Sequence, residues 1–113
     1  LLDGRVPTCI FTEQSRPERP NRCYVQTDFS RPLFPQILAE LSRRKVDSLL
    51  VEGGAQLLRH CLETGLWDEA RVETAPVCLG QGVTAPSMQG WPVERVEWKA
   101  DPGRYVTYYK PGL

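Results

Sequence analysis

The feature that most constrains this chain is the run Ser48-Leu49-Leu50-Val51-Glu52-Gly53-Gly54, followed by a helical pattern from Ala55 to about Thr64. A short, continuous apolar stretch predicts a strand buried on both faces. Behind it Leu57, Leu58, Cys61 and Leu62 recur at helical spacing, and Gly65 stands where a left-handed C-cap belongs. Strand, Gly-Gly turn and helix in that order place the chain in the α/β class. Glycines at such a turn let a ligand approach the backbone, and the free N–H groups of the first helical turn attract a phosphate. The turn has neither the G-x-G-x-x-G fingerprint nor a P-loop lysine, so it fits neither an ordinary Rossmann site nor a P-loop. Taken alone, a Gly-Gly after a strand is more often only a tight turn.

Upstream, Thr8 to Thr12 is a short apolar run after Pro7, and the polar stretch Glu13 to Asn21 with its two prolines reads as a surface loop. Arg22 to Thr27 alternates through Cys23 and Val25 and predicts a second strand. Ser30 is a candidate helix cap and Pro32 is tolerated in a first turn. Leu33, Phe34, Ile37, Leu38 and Leu41 then form a helical stripe, with Arg43, Arg44 and Lys45 at the end that favours positive charge. Strand, helix and the Ser48–Val51 strand would make a right-handed βαβ unit. Downstream, Glu69 to Leu79 predicts a strand ended by Gly80-Gln81-Gly82. Val93 to Lys99 and Arg104 to Tyr109 flank Asp101-Pro102-Gly103, a hairpin turn in which Pro fixes φ and Gly permits positive φ.

Composition excludes several function classes. Fourteen basic and fourteen acidic side chains cancel, leaving no field to draw nucleic acid or an anionic membrane, and no basic run supplies one locally. No apolar stretch is long enough to span a bilayer, and nothing at the N-terminus reads as a signal peptide. The four cysteines Cys9, Cys23, Cys61 and Cys78 contain no C-x-x-C pair, and the one histidine, His60, completes no zinc set with them. Cys61 and Cys78, among leucines and valine, are expected to act as small hydrophobes; all four are expected to be reduced thiols of a cytoplasmic protein. The chain opens on Leu1 and its one methionine is Met88, so it is expected to be a segment of a longer parent.

Three ordered blocks carry a resemblance: Leu50-Val51-Glu52-Gly53-Gly54-Ala55-Gln56-Leu57-Leu58, Gly65-Leu66-Trp67-Asp68-Glu69, and Ala75-Pro76-Val77-Cys78-Leu79-Gly80-Gln81-Gly82. They are similar to the V-E-G-G-x-x-L, G-L-x-D-E and A-P-x-x-L-G-x-G series of the reductase family of riboflavin biosynthesis. Upstream, Leu1-Leu2-Asp3-Gly4-Arg5-Val6-Pro7-Thr8 also looks like part of that domain, and the likeness covers nearly the whole chain. The family forms the C-terminal half of a bifunctional deaminase/reductase. The resemblance implies a three-layer α/β fold like that of dihydrofolate reductase, with a mixed sheet and a C-terminal antiparallel hairpin. It implies an NADPH-dependent reduction of the ribosylamino group of a phosphorylated pyrimidine to a ribitylamino group. Residue by residue, it gives Glu52 a substrate contact and assigns NADPH binding to Gly53, Gly54, Ala55, Gln56, Leu57, Leu58, Arg59 and His60.

The chain departs from the family pattern in lacking the N-terminal part of that reductase domain. It also lacks the H-x-E and P-C-x-x-C signatures of a zinc deaminase, so deaminase activity is not expected in this chain. Catalysis by these residues alone is not expected, and the aromatic-rich hairpin is expected to pair two copies into a homodimer. Other candidates have plainer explanations. Asp68 and Glu69 suit strand entry beside Trp67, His60 suits a solvated or half-buried place on its helix, and Arg43 to Lys45 suit a solvated helix end. Trp91, Trp98, Tyr105, Tyr108 and Tyr109 suit a packed or interfacial sheet surface.

Overall fold

A computed structural model of the chain describes residues 3–111; Leu1 and Leu2 of the upstream motif lie outside them. The chain divides into two compact units, Leu1–Leu49 and Leu50–Leu113. The first holds β1 (Thr8–Thr12), β2 (Arg22–Gln26) and α1 (Leu33–Arg43). The second holds α2 (Ala55–Thr64), β3 (Ala70–Thr74), β4 (Val93–Asp101) and β5 (Arg104–Pro111).

In the first unit β1 and β2 pair in parallel, Thr8 opposite Arg22 through Thr12 opposite Gln26. Their connection contains no helix. It turns back at Asn21, whose φ of 55° is left-handed, a conformation asparagine tolerates better than most residues. The Asn21 side chain donates to the Gly4 carbonyl at 2.9 Å and so ties the turn down. Helix α1 follows the predicted stripe, with Phe34 buried and Leu33, Ile37, Leu38 and Leu41 half-buried. Ser30 does not cap it. Pro32 holds the N-cap position, and the Ser30 hydroxyl is occupied by Asp28, 2.6 Å away. Gln36 closes the entry instead: its side chain accepts from the Asp28 N–H and donates to the Asp28 and Pro32 carbonyls. At the far end Arg43 and Arg44 both grip Glu40, at 2.7 and 2.6 Å, and those two hydrogen bonds pull its carboxyl down to about 2. The basic helix end is therefore internally paired through Arg43 and Arg44.

The stretch Ser48–Val51 differs from the sequence expectation: it joins no strand ladder, and Leu49 and Leu50 are exposed, Leu50 by 81%. A run that reads as a doubly covered parallel strand is stable only with hydrogen-bonded neighbours, and the described residues supply none. The βαβ unit is consequently not closed, and the parallel pairing is found between β1 and β2. The strand expected over Glu69 to Leu79 is confined to β3.

In the second unit the three strands form an antiparallel sheet in the order β3-β5-β4. The predicted hairpin is present, longer by two residues on each strand. Gly103 has φ 78°, and with Pro102 before it the turn has the pattern of type II. That turn matches strand twist poorly when it alone joins two strands, and the register shift between Lys99 and Asp101 is the bulge that takes up the mismatch. Central β5 is covered on both faces, since the adjacent Val106 and Thr107 point to opposite sides and are both buried. On edge strand β4 Val96 and Trp98 are exposed, Trp98 by 65%. The chain is thus α/β, with parallel and antiparallel pairing in separate sheets and an antiparallel hairpin at its end.

Candidate functional site

The Gly53-Gly54 turn opens α2 as the sequence predicts, although no strand leads into it. Gly54 is the N-cap residue, with φ −72° and ψ 165°, and its carbonyl accepts the first intrahelical bond from the Leu58 N–H at 3.1 Å. The N–H groups of Ala55, Gln56 and Leu57 have no intrahelical acceptor. No side chain caps them, and the first turn carries no acidic residue. A Cβ on Gly54 would meet nothing within 4 Å, so the backbone is open to an approaching group. A Cβ on Gly53 would fall 2.8 Å from Leu57 Cδ2, the far end of a flexible side chain. An uncapped helix N-terminus behind an open glycine fits a pyrophosphate-bearing ligand.

Glu52 is exposed at the entrance to the turn and makes no hydrogen bond or ion pair among the described residues. Gln56, Leu57 and Arg59 are exposed on α2, whereas Ala55, Leu58 and His60 are half-buried and Cys61 is buried. Only part of the segment from Gly53 to His60 is therefore free to face a ligand, on the side of Gln56 and the first-turn N–H groups. His60 has its Nε2 buried without a hydrogen-bond partner among the described residues, and the residue as a whole is half-buried, as its position beside the apolar stripe suggests. Beyond the helix, Gly65 adopts φ 67° as the left-handed C-cap, and the Trp67 indole donates to the Leu62 carbonyl at 3.3 Å. These contacts anchor the end of α2 opposite the turn.

A concavity of about 430 Å³ in this unit lies on the sheet between Val72, Val93, Arg95 and Tyr109 and the loop from Pro86 to Gln89. It contains none of the residues from Glu52 to His60, and its cation Arg95 is engaged by Glu97. The uncapped turn is the better candidate on chemistry, because its first-turn N–H groups offer unpaired donors to an anion. The carboxylates Asp68 and Glu69 are both exposed just before β3, in keeping with strand entry. Cys78 departs from expectation: it is exposed, because the residues around it form no strand. All four cysteines are free thiols, and no group of three or more metal-ligating side chains gathers among the described residues. No helix of the described residues is long and apolar enough to cross a membrane.

One arrangement was not visible in the sequence at all. Cys9 and Cys23 meet across β1 and β2, because the strand register sets them opposite each other. Their separation along the chain, 14 positions, matches no thiol motif.

Comparison with known proteins bears on the glycine turn. The chain is 30% identical over 95 residues to the riboflavin biosynthesis protein RibD of Bacillus amyloliquefaciens, a match covering 78% of this chain and 25% of that protein. The chain thus spans about a quarter of the length of this curated relative. The family model described as the RibD C-terminal domain matches residues 1–107, taking in all three motif blocks and the Gly53-Gly54 turn. This chain belongs to the RibD C-terminal domain family.

Proposed function

We propose that the chain is part of an NADPH-dependent reductase that converts 5-amino-6-(5-phosphoribosylamino)uracil to its ribitylamino product, within a dihydrofolate-reductase-like domain of a cytoplasmic deaminase/reductase. The observation that carries this reading is the open, uncapped start of α2 at Gly54, in a chain of this family. NADPH, when bound, supplies the hydride. The N–H groups of Ala55, Gln56 and Leu57 hold its pyrophosphate, and the glycine turn lets that group come close to the backbone. Arg59, exposed one turn further along α2, adds positive charge on the helix surface. Glu52, one residue before the turn and without a partner among the described residues, accepts hydrogen bonds from the hydroxyl or ring N–H groups of the pyrimidine substrate and orients it.

Glu52→Gln in the full-length protein separates the two ligands. The amide keeps the size of the carboxylate and loses its charge and one acceptor. The expected result is a fall in kcat/KM for the pyrimidine on the order of ten-fold, equivalent to the loss of one charged hydrogen bond, with the Kd for NADPH nearly unchanged. Wild-type kinetics would remove Glu52 from the substrate site.

The same reading includes a homodimer made through the hairpin. Strands β3 and β4 each have one edge without a ladder partner among the described residues, and β4 exposes Val96 and Trp98 on one face. Unpaired edges and exposed aromatic area favour association. Sedimentation at micromolar concentration is expected to give a dimer that Trp98→Glu converts to monomer; a wild-type monomer would end this part of the proposal.

A further inference from the structure

Cys9 and Cys23 lie apart from the glycine turn and have no part in the function proposed above. Strand register makes them direct partners, so both side chains leave the same face of the β1–β2 pair. Their Sγ atoms are 2.8 Å apart, with the Cys23 thiol directed at Cys9. Neighbouring strands lie about 4.8 Å apart, within the roughly 4.4–6.8 Å between Cα atoms that a disulfide spans. A bond between the two sulfurs therefore needs side-chain rotation and little backbone movement. Both residues are half-buried rather than sealed in the core. Burial first, and the contact with Cys23 second, raise the Cys9 thiol to about 11. The other two cysteines are arranged differently. Cys61 is buried on α2, and Cys78 is exposed with no thiol in contact among the described residues.

We propose that Cys9 and Cys23 form a redox-modification site, which a small-molecule disulfide such as oxidised glutathione converts to a disulfide joining β1 to β2. One cysteine, as thiolate, attacks a sulfur of oxidised glutathione; the glutathione S–S bond breaks, a mixed disulfide forms and one glutathione leaves as thiolate. The second cysteine loses its proton and attacks the protein sulfur of the mixed disulfide, expelling the other glutathione. Two electrons and two protons pass from the protein to the reagent. The Cys9–Cys23 bond forms, and two reduced glutathione molecules are released. The product clamps the connection between the two strands. Exposed Cys78, with no second thiol in contact among the described residues to complete the exchange, keeps its glutathione.

The test uses a Cys78→Ser protein, a change at an exposed position. It is incubated with oxidised glutathione, quenched in acid, alkylated and digested with trypsin without reductant. Cleavage after Arg5, Arg22 and Arg43 places Cys9 in residues 6–22 and Cys23 in residues 23–43. The expected product is these two peptides joined by a disulfide and carrying no glutathione. It should exceed any linkage to Cys61 on the order of ten-fold, and that preference should vanish when the reaction is run in urea. Under the same conditions Cys9→Ser should leave glutathione attached to Cys23. The proposal is overturned if both cysteines are recovered alkylated, if each carries glutathione without joining, or if linkage to Cys61 is as frequent in the folded protein.

Discussion

Replacing Gly54 with valine is expected to weaken NADPH binding by ten-fold or more in the full-length protein, about 1.4 kcal/mol, while leaving the fold in place. The backbone there, at φ −72° and ψ 165°, is one that any L-residue adopts, and a Cβ meets no atom within 4 Å. The valine side chain therefore enters without strain and occupies the space through which a pyrophosphate would reach the first-turn N–H groups. Valine is a poorer N-cap than glycine, so a stability loss of up to about 1 kcal/mol is expected. Gly53→Ala is the control, because the one close approach of its methyl group is to the flexible Leu57 Cδ2, with Leu57 Cβ and Cγ at ordinary contact distance, and it should bind NADPH more nearly as wild type does. Titration of NADPH by fluorescence, with circular dichroism to establish folding, reads both variants. An unchanged Kd in folded Gly54→Val would take the cofactor away from this turn.

The largest stability effect is expected at the hairpin tip. Gly103 has φ 78°, and a Cβ there would lie 2.9 Å from Pro76 Cβ and 3.2 Å from Pro76 Cγ. Left-handed backbone costs a residue with a Cβ about 1–2 kcal/mol, and a proline ring cannot swing aside as a leucine terminus can. Gly103→Ala should therefore lose about 2–3 kcal/mol, the strain plus an overpacking cost of about 1 kcal/mol. Gly65→Ala isolates the first component, since Gly65 has φ 67° with open space at its Cβ position. Urea unfolding of the two variants should place Gly103→Ala at the lower midpoint. Equal midpoints would mean that Pro76 yields and that backbone strain alone sets the cost.

Reading from sequence worked where the signal is local. The stripes of α1 and α2 recur every three to four residues, and the helices lie where those stripes lie. Gly65 and Pro102-Gly103 announce a left-handed C-cap and a turn through their own backbone limits. The motif blocks around Gly53-Gly54 identified the family. Local signals failed where a choice of partner was involved. Ser30 has the chemistry of a cap, but Asp28 offers its hydroxyl a nearer acceptor, and Gln36 takes over the helix entry from eight residues along. Ser48–Val51 has the composition of a central strand and stays outside the ladders, because a strand exists only through its neighbours.

What this sequence determined by itself is the set of features encoded within a few residues: two amphipathic helices, the glycine turn with its unpaired N–H groups, the Pro-Gly hairpin and a balance of fourteen basic against fourteen acidic side chains. Tertiary structure alone decided which strands pair and in what register. Pairing in register put Cys9 against Cys23, left Cys78 and Leu50 exposed, and buried Val106 and Thr107 on the two faces of β5. The reason is the range of the interactions. Helix periodicity and turn preference arise from dihedral and side-chain sterics between near neighbours, which a linear sequence displays. Ladder register depends on hydrogen bonds between segments far apart in the chain, and a shift of one residue would exchange the faces of every side chain along the strand.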